Sequence, residues 1–342
     1  MDMHTVPRKA LRRRALEILR AAAYVRSRCG LAPSAPGALL LMYHSVAPPE
    51  TARFIDPAWR LAPEVFERQV RFLARHCRVV SLDALTESIR RGVAPEPGTV
   101  VMTFDDGYRD TLEVAAPILA RYNLPATLYL PTAYVTHEAS QWIDRLYTAF
   151  RSRTRNRLVL DGTPVDLATP RGPLSAYGVL RDRLRAADYL ERQRLLDAAE
   201  RDLRPGETPP RLTLAWTEVQ DLVRRYPSIE IGGHSVHHRD LSSCAPDLVA
   251  AEIQGCRTDL ERELGRTPRH FSFPYGRSTP EARQIVIDAG FRSAVSAAPT
   301  LLAREHSDPF ALGRLDPNLP MTQFRFWASG AHAATHGRLA RC

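Results

Sequence analysis

The sequence predicts an α/β fold built on parallel strands, and three observations point there. Short apolar runs alternate with longer amphipathic stretches from about residue 39 onward. Two of the apolar runs end directly in clustered polar residues, the arrangement expected where strand C-termini carry function: Val100-Val101-Met102 leads into Thr103-Phe104-Asp105-Asp106-Gly107-Tyr108, and Ile229-Glu230-Ile231 leads into Gly232-Gly233-His234-Ser235-Val236-His237-His238. The chain is also large enough to bury a full core, with 342 residues of which 44% are hydrophobic and 25% charged.

Taken in order, Leu39 to Tyr43 reads as a strand. Pro63 to His76 reads as a helix with Val65, Phe66, Val70, Phe72 and Leu73 on its apolar face. Arg78 to Val80 is a short strand, and Ser81-Leu82-Asp83 is a cap for a helix from Leu85 to Arg91. Thr99 to Phe104 is the strand that delivers Asp105, and Thr111 to Tyr122 is a helix ended by Asn123-Leu124-Pro125. Ala126 to Leu130 is the next strand. Residues 140–213 break the rhythm: a helix from Trp142 to Phe150, a hairpin over Arg157 to Leu160 and Thr163 to Leu167, and one long helix from Arg181 to Leu203. This segment reads as an insertion between two strands, either a cap over the active-site cleft or a solvated helical hairpin. Beyond it come helices from Trp216 to Arg225, Leu248 to Leu264 and Pro280 to Ala289, the last with Gly290 at its C-cap, and late strands over Phe291 to Ser296 and Phe310 to Arg314.

The two polar clusters carry the chemistry. Adjacent carboxylates at Asp105 and Asp106 repel when ionised and desolvated, and a divalent cation relieves that repulsion. An Asp-Asp-Gly sequence is also an ordinary solvated turn. His234 and His238 are four residues apart, so one helical turn or a tight loop can aim both at a single ion. Two histidines and an aspartate leave coordination positions open for water and substrate, as in catalytic zinc sites and non-haem iron oxygenases.

The order and spacing of these motifs resemble the polysaccharide deacetylases of the NodB-homology type, carbohydrate esterase family 4. Two further segments agree: Phe271-Ser272-Phe273-Pro274-Tyr275-Gly276 stands where the family carries its Pro-Tyr-Gly motif, and Leu40-Leu41-Met42-Tyr43-His44-Ser45-Val46 is similar to an added first strand of many members. The match runs from roughly Gly98 to the region of Arg314. The resemblance implies a distorted (β/α)7 barrel with a mainly helical insertion. It implies Asp105 as the general base acting on water, Asp106, His234 and His238 as metal ligands, and the backbone N–H of Tyr275 as an oxyanion donor. The resemblance also shows departures. Many members carry arginine where this chain has Ser272, bracing the catalytic base; Arg269 is the candidate substitute. The family's late motif supplies a histidine as general acid and has no clean copy here. His44 is the better candidate for that role and His306 the weaker.

Formal net charge is +9, and Lys9 is the only lysine. A basic balance favours anionic surfaces or polymers, but no aromatic–basic interleaving or nucleic-acid motif accompanies it, so nucleic-acid binding is not expected. The five cysteines, at 29, 77, 244, 256 and 342, form no C-x-x-C pair and read as free thiols. No run of 18 apolar residues or secretory signal is evident, which leads to an expected location in the cytoplasm or at its membrane face. Residues 1–37 form a unit of their own; within residues 8–28, Arg8, Lys9, Arg12, Arg13, Arg14, Arg20, Arg26 and Arg28 stand against one acid, Glu17. That pattern suits a solvated helix or flexible tail, or a basic amphipathic helix on an anionic membrane, followed by a linker. Residues 38–342 then form the deacetylase-like barrel with the insertion at about 140–213.

The combined expectation is a metal-dependent hydrolase, zinc leading among the divalent ions, that removes acetyl groups from a carbohydrate, N-acetyl before O-acetyl. Two alternatives come from other classes: a barrel that binds glycan without turning it over, and a non-haem iron oxygenase with the same ligand set.

Overall fold

The computed structural model describes residues 37–330, apart from 161, 298–302 and 305. The basic segment expected over residues 1–37 lies outside the described residues, save Gly37.

In chain order the first elements are β1 (Ala38–Tyr43), the two-residue β2 (Ser45–Val46), α1 (Pro49–Ala52), β3 (Arg60–Leu61), α2 (Pro63–His76), β4 (Arg78–Val79), α3 (Leu82–Arg90) and β5 (Thr99–Phe104). A π turn over Thr111–Ala115 runs into α4 (Ala116–Arg121), followed by β6 (Ala126–Leu130) and α5 (Thr132–Thr136). The insertion holds α6 (Trp142–Arg151), β7 (Arg157–Leu160), β8 (Thr163–Asp166), α7 (Gly172–Ala186) and α8 (Tyr189–Leu203). The chain returns through α9 (Trp216–Arg225), β9 (Ile229–Gly233), α10 (Pro246–Leu264), β10 (His270–Ser272), α11 (Pro280–Asp288), β11 (Ser293–Ser296), β12 (Leu312–Gly313) and α12 (Met321–Ala328).

Seven strands pair in the order β1-β5-β6-β9-β10-β11-β12, every pair parallel, with β4 added beside the start of β5. Leu315, just past β12, bonds back to β1: its N–H donates to Leu40 O at 2.8 Å, and Met42 N–H donates to Leu315 O at 2.9 Å. The sheet therefore nearly closes, and the expected distorted (β/α)7 barrel is what the chain forms. All six residues of β1 and of β5 are buried. Strands covered on both faces need no polar alternation, which is why they read in the sequence as unbroken apolar runs.

The helices follow from local signals. Pro63 opens α2 and Glu64 occupies its first turn, while Arg75 and His76 close it, each charge suited to its end of the helix dipole. Ser81 caps α3 by accepting the Ala84 N–H at 3.1 Å, so that helix starts three residues earlier than expected. The single long helix expected from Arg181 to Leu203 is instead two. Asp188 accepts the Glu191 N–H at 2.8 Å and starts α8, and this cap outweighs the helix propensity of the surrounding residues. The hairpin β7–β8 forms antiparallel as expected. Its Leu158 joins Trp142, Leu146, Phe150, Leu184 and Leu196 in an apolar core belonging to the insertion. The sequence reading has no counterpart of α12, whose buried Phe324 packs against Phe72 of α2. Cys244 and Cys256 are free thiols, and no described helix is long and apolar enough to cross a membrane.

Candidate active site

The barrel gathers the chemistry-bearing residues at one rim. His44 follows β1, Asp105 and Asp106 follow β5, His234 follows β9, Tyr275 lies just past β10 and Arg314 follows β12. All stand at the C-terminal ends of parallel strands, where the backbone is fixed and the side chains are free to point inward. Asp105 N–H donates to Tyr43 O at 2.9 Å, and His234 N–H to Leu130 O at 3.0 Å, so the barrel ladder itself sets both positions. The next residues turn sharply. Asp106 has φ 71°, Ser235 φ 62°, His238 φ 51° and Tyr275 φ 57°, four non-glycine residues in the left-handed region. Strain of that kind concentrates at functional sites because the surrounding structure must hold it in place.

Asp105 is almost fully buried and is gripped by Arg314, whose side chain is 0% exposed. Arg314 Nη1 donates to Asp105 Oδ1 at 2.7 Å and Nη2 to Oδ2 at 2.6 Å, a bidentate pair. The other guanidinium hydrogens reach Thr103 Oγ1 at 3.0 Å, Ser272 Oγ at 2.9 Å and Ser296 O at 3.3 Å. All five donors are thus used. Burial pushes the Asp105 carboxyl up, but the charge of Arg314, then that of His234, outweighs it and holds the group below the usual carboxylate range. Arg269 does not take this part: it pairs with Asp83 at 2.6 Å, on the far side of β10 from the rim. Ser272 occupies the position where an arginine was expected and serves the same pair from the other side, its hydroxyl lying 3.3 Å from Asp105 Oδ2. In this chain the guanidinium that braces Asp105 comes from the end of β12.

Asp106, His234 and His238 converge, with one ligand atom from each lying within 4.8 Å of the others. Asp106 Oδ1 stands 3.5 Å from His234 Nε2 and 3.2 Å from His238 Nε2. His234 Nδ1 donates to Ser272 O at 2.7 Å, which fixes the tautomer and leaves Nε2 facing the carboxylate. Asp106 Oδ1 is buried and has no hydrogen-bond partner. An orphaned carboxylate oxygen facing two imidazole nitrogens is a donor set for a divalent cation, and the residues present fit one. Burial raises the Asp106 carboxyl, yet the adjacent His238 charge and the two imidazole nitrogens that face Oδ1 bring it well below the usual range.

These groups open onto a cleft of about 410 Å³. Trp142, Arg181 and Arg185, from the segment between β6 and β9, line it together with Met42, His44 and Trp59 from the β1 side, so that segment forms part of the cleft wall. Gln141 of the insertion also donates to Asp106 O at 3.3 Å. His44 is half-buried and packs on Trp59 at 5.0 Å between ring centroids. His306 is exposed in a turn and does not line the cleft. The Tyr275 hydroxyl donates to His238 O at 3.3 Å and accepts from Trp142 Nε1 at 3.2 Å. Gly276 has φ 64°, and a Cβ there would lie 2.1 Å from Ala297 N and Cβ. Gly276→Ala is therefore expected to destabilise the fold by about 2–5 kcal/mol, combining left-handed strain of roughly 1–2 with overpacking of roughly 1–3. A denaturant midpoint unchanged from the parent would contradict that packing.

Sequence reasoning passes over Arg314 and finds it only as the end of a late strand. The usable signal is its place directly after a short apolar run, as with Asp105 and His234.

Residues 92–294, more than half of the chain, match the family described as Polysaccharide deacetylase. No curated protein sequence matches the chain. Among solved structures, IcaB from Ammonifex degensii superposes with a TM-score of 0.57 at 17% identity, covering 87% of this chain and 98% of its own. A de-N-acetylase from Aggregatibacter actinomycetemcomitans gives 0.54 at 15% identity, with 85% and 99% covered. The deacetylase PplD of Streptococcus pyogenes, solved with acetate, gives 0.51 at 18% identity, with 83% and 95% covered. At these identities the likeness carries the fold, and the family profile carries the assignment: the chain belongs to the polysaccharide deacetylase family, with a NodB-type domain of carbohydrate esterase family 4.

Proposed function

We propose that this chain hydrolyses acetyl groups, N-acetyl in the first place, on a carbohydrate, with a divalent metal, zinc foremost, held by Asp106, His234 and His238. The observation that carries the proposal is the orphaned Asp106 Oδ1 between two imidazoles, directly beside a carboxylate held by a buried arginine. When bound, such an ion polarises the acetyl carbonyl and makes a water acidic enough to attack near neutral pH.

The remaining steps belong to the chain. Asp105, which lines the cleft and is kept ionised by Arg314, accepts the proton of the attacking water. The bidentate grip of Arg314 orients the carboxylate before substrate arrives. The Tyr275 N–H serves the negative charge that grows on the acetyl oxygen. His44, which also lines the cleft, is the candidate to give a proton to the departing amine. Trp59, an exposed aromatic of the cleft lining, supplies an apolar face on which a sugar ring can stack. A catalytic base with no arginine beside it would favour a barrel that only binds glycan. The bidentate Arg314 supports turnover instead.

The metal reading has a direct test. Purified parent protein is expected to take up one zinc per chain in a titration followed by elemental analysis, and His238→Ala to retain almost none. A parent that binds no divalent ion, or a variant that binds as well as the parent, contradicts the ligand set.

A further inference from the structure

We infer that Arg192 is a positioning residue for the metal site: carried on the insertion, it holds the backbone carbonyls of His237 and His238 and so sets where the His238 imidazole stands. The inference rests on the metal reading above and goes beyond it, because it makes the insertion part of the ligand shell's support as well as part of the cleft wall.

Arg192 is on α8 and is 0% exposed, the largest side chain buried to that degree. Its guanidinium makes no ion pair with a described carboxylate. It donates to four backbone carbonyls: Nε to Leu184 at 2.8 Å, Nη2 to Ala187 at 3.4 Å, and Nη1 to His237 at 3.2 Å and His238 at 3.5 Å. The Trp142 ring lies 5.5 Å from its central carbon. Burying a cation without an anion is costly, and an aromatic face with converging carbonyl dipoles offsets only part of that cost. Tying the insertion together needs no charge, since apolar residues of the same volume would pack α7 against α8 at lower cost.

The acceptors explain the choice. Arg192 is 45 and 46 residues from its two loop acceptors, and that loop is strained at Ser235 and His238. A left-handed His238 needs its carbonyl fixed, because a rotation of that peptide would swing the imidazole away from Asp106. Two donors converge on this one carbonyl, Arg192 Nη1 and the Tyr275 hydroxyl, and the latter is itself held by Trp142 Nε1. Both lines of support start in the insertion. Lysine cannot replace this geometry, since a single ammonium cannot span the end of α7 and the histidine loop together.

The test is zinc affinity, measured by competition with a chelator on folded protein, beside the unfolding midpoint of the zinc-free form. Arg192→Lys and Arg192→Gln are expected to raise the zinc Kd by about 10–100-fold, the usual effect of removing support behind a metal ligand. Trp142→Phe, which removes the indole N–H from the chain of donors and shrinks the ring beside Arg192, is expected to raise it several-fold. A merely structural arginine would lower the zinc-free midpoint and leave the affinity of the folded variant at the parent value, and that result overturns the inference. If both Arg192 variants fail to fold, Trp142→Phe decides, and unchanged affinity there overturns it. A parent that takes up no zinc in the same titration fails the underlying metal reading, and this inference with it.

Discussion

Replacing Asp105 by Asn is expected to lower acetate release by about 10²–10⁴-fold, the range attributed to a positioned general base, with zinc content unchanged. The amide keeps the shape of the carboxylate and can still accept from Arg314, but it cannot take the proton of the attacking water. Metal content separates the two neighbouring carboxylates. Asp105 faces Arg314 through both oxygens, whereas Asp106 faces the two histidine Nε2 atoms. An Asp105→Asn protein that loses its zinc, or one that turns over at the parent rate, would show that the roles are assigned to the wrong member of the pair.

The second large effect falls on Arg314. Arg314→Met leaves the Asp105 carboxylate buried with no cation, and breaking a buried pair in this way costs about 3–5 kcal/mol. Acetate release should fall with it, because the released carboxylate regains its neutral form and other rotamers. The pH dependence has a definite sign. Asp105 has a folded-state pKa below its ordinary value, so the pair contributes stability that is present above the unfolded carboxylate range, about pH 3.9, and is lost as pH falls through the folded value. The stability gap between parent and Arg314→Met should therefore be widest near neutral pH and should narrow in acid. A gap that stays constant from pH 7 down to about pH 3 would mean that the arginine acts through packing and not through the carboxylate.

The sequence makes some parts of this site readable and hides others, for physical reasons. Asp105 and His234 are conspicuous because each ends an apolar run, and a polar cluster at such a boundary is rare by chance. Arg314 has the same position but no contrast, since it is one of 47 basic residues in the chain. Its meaning depends on barrel closure, which brings the end of β12 beside β1 and β5 through contacts more than 200 residues apart. Arg192 is hidden for the same reason, within a stretch whose arginines otherwise look solvated. Proximity in sequence points to Arg269, and the structure shows it spent on Asp83. The strands and α2 are legible because burial on both faces or on one stripe writes itself into the pattern. The break between α7 and α8 turns on one capping aspartate, a local signal that a run of good helix formers obscures.

The central claim is that the rim of this barrel is a working metal-dependent deacetylase centre. Acetate release by zinc-loaded protein from a panel of N-acetylated and O-acetylated glycans tests it most directly. The expected result is zinc-dependent release, matched on N-acetylated substrates by one new free amine for each acetate. Protein carrying one zinc per chain that liberates no acetate from any member of the panel would contradict the claim and leave a barrel that binds glycan without turning it over.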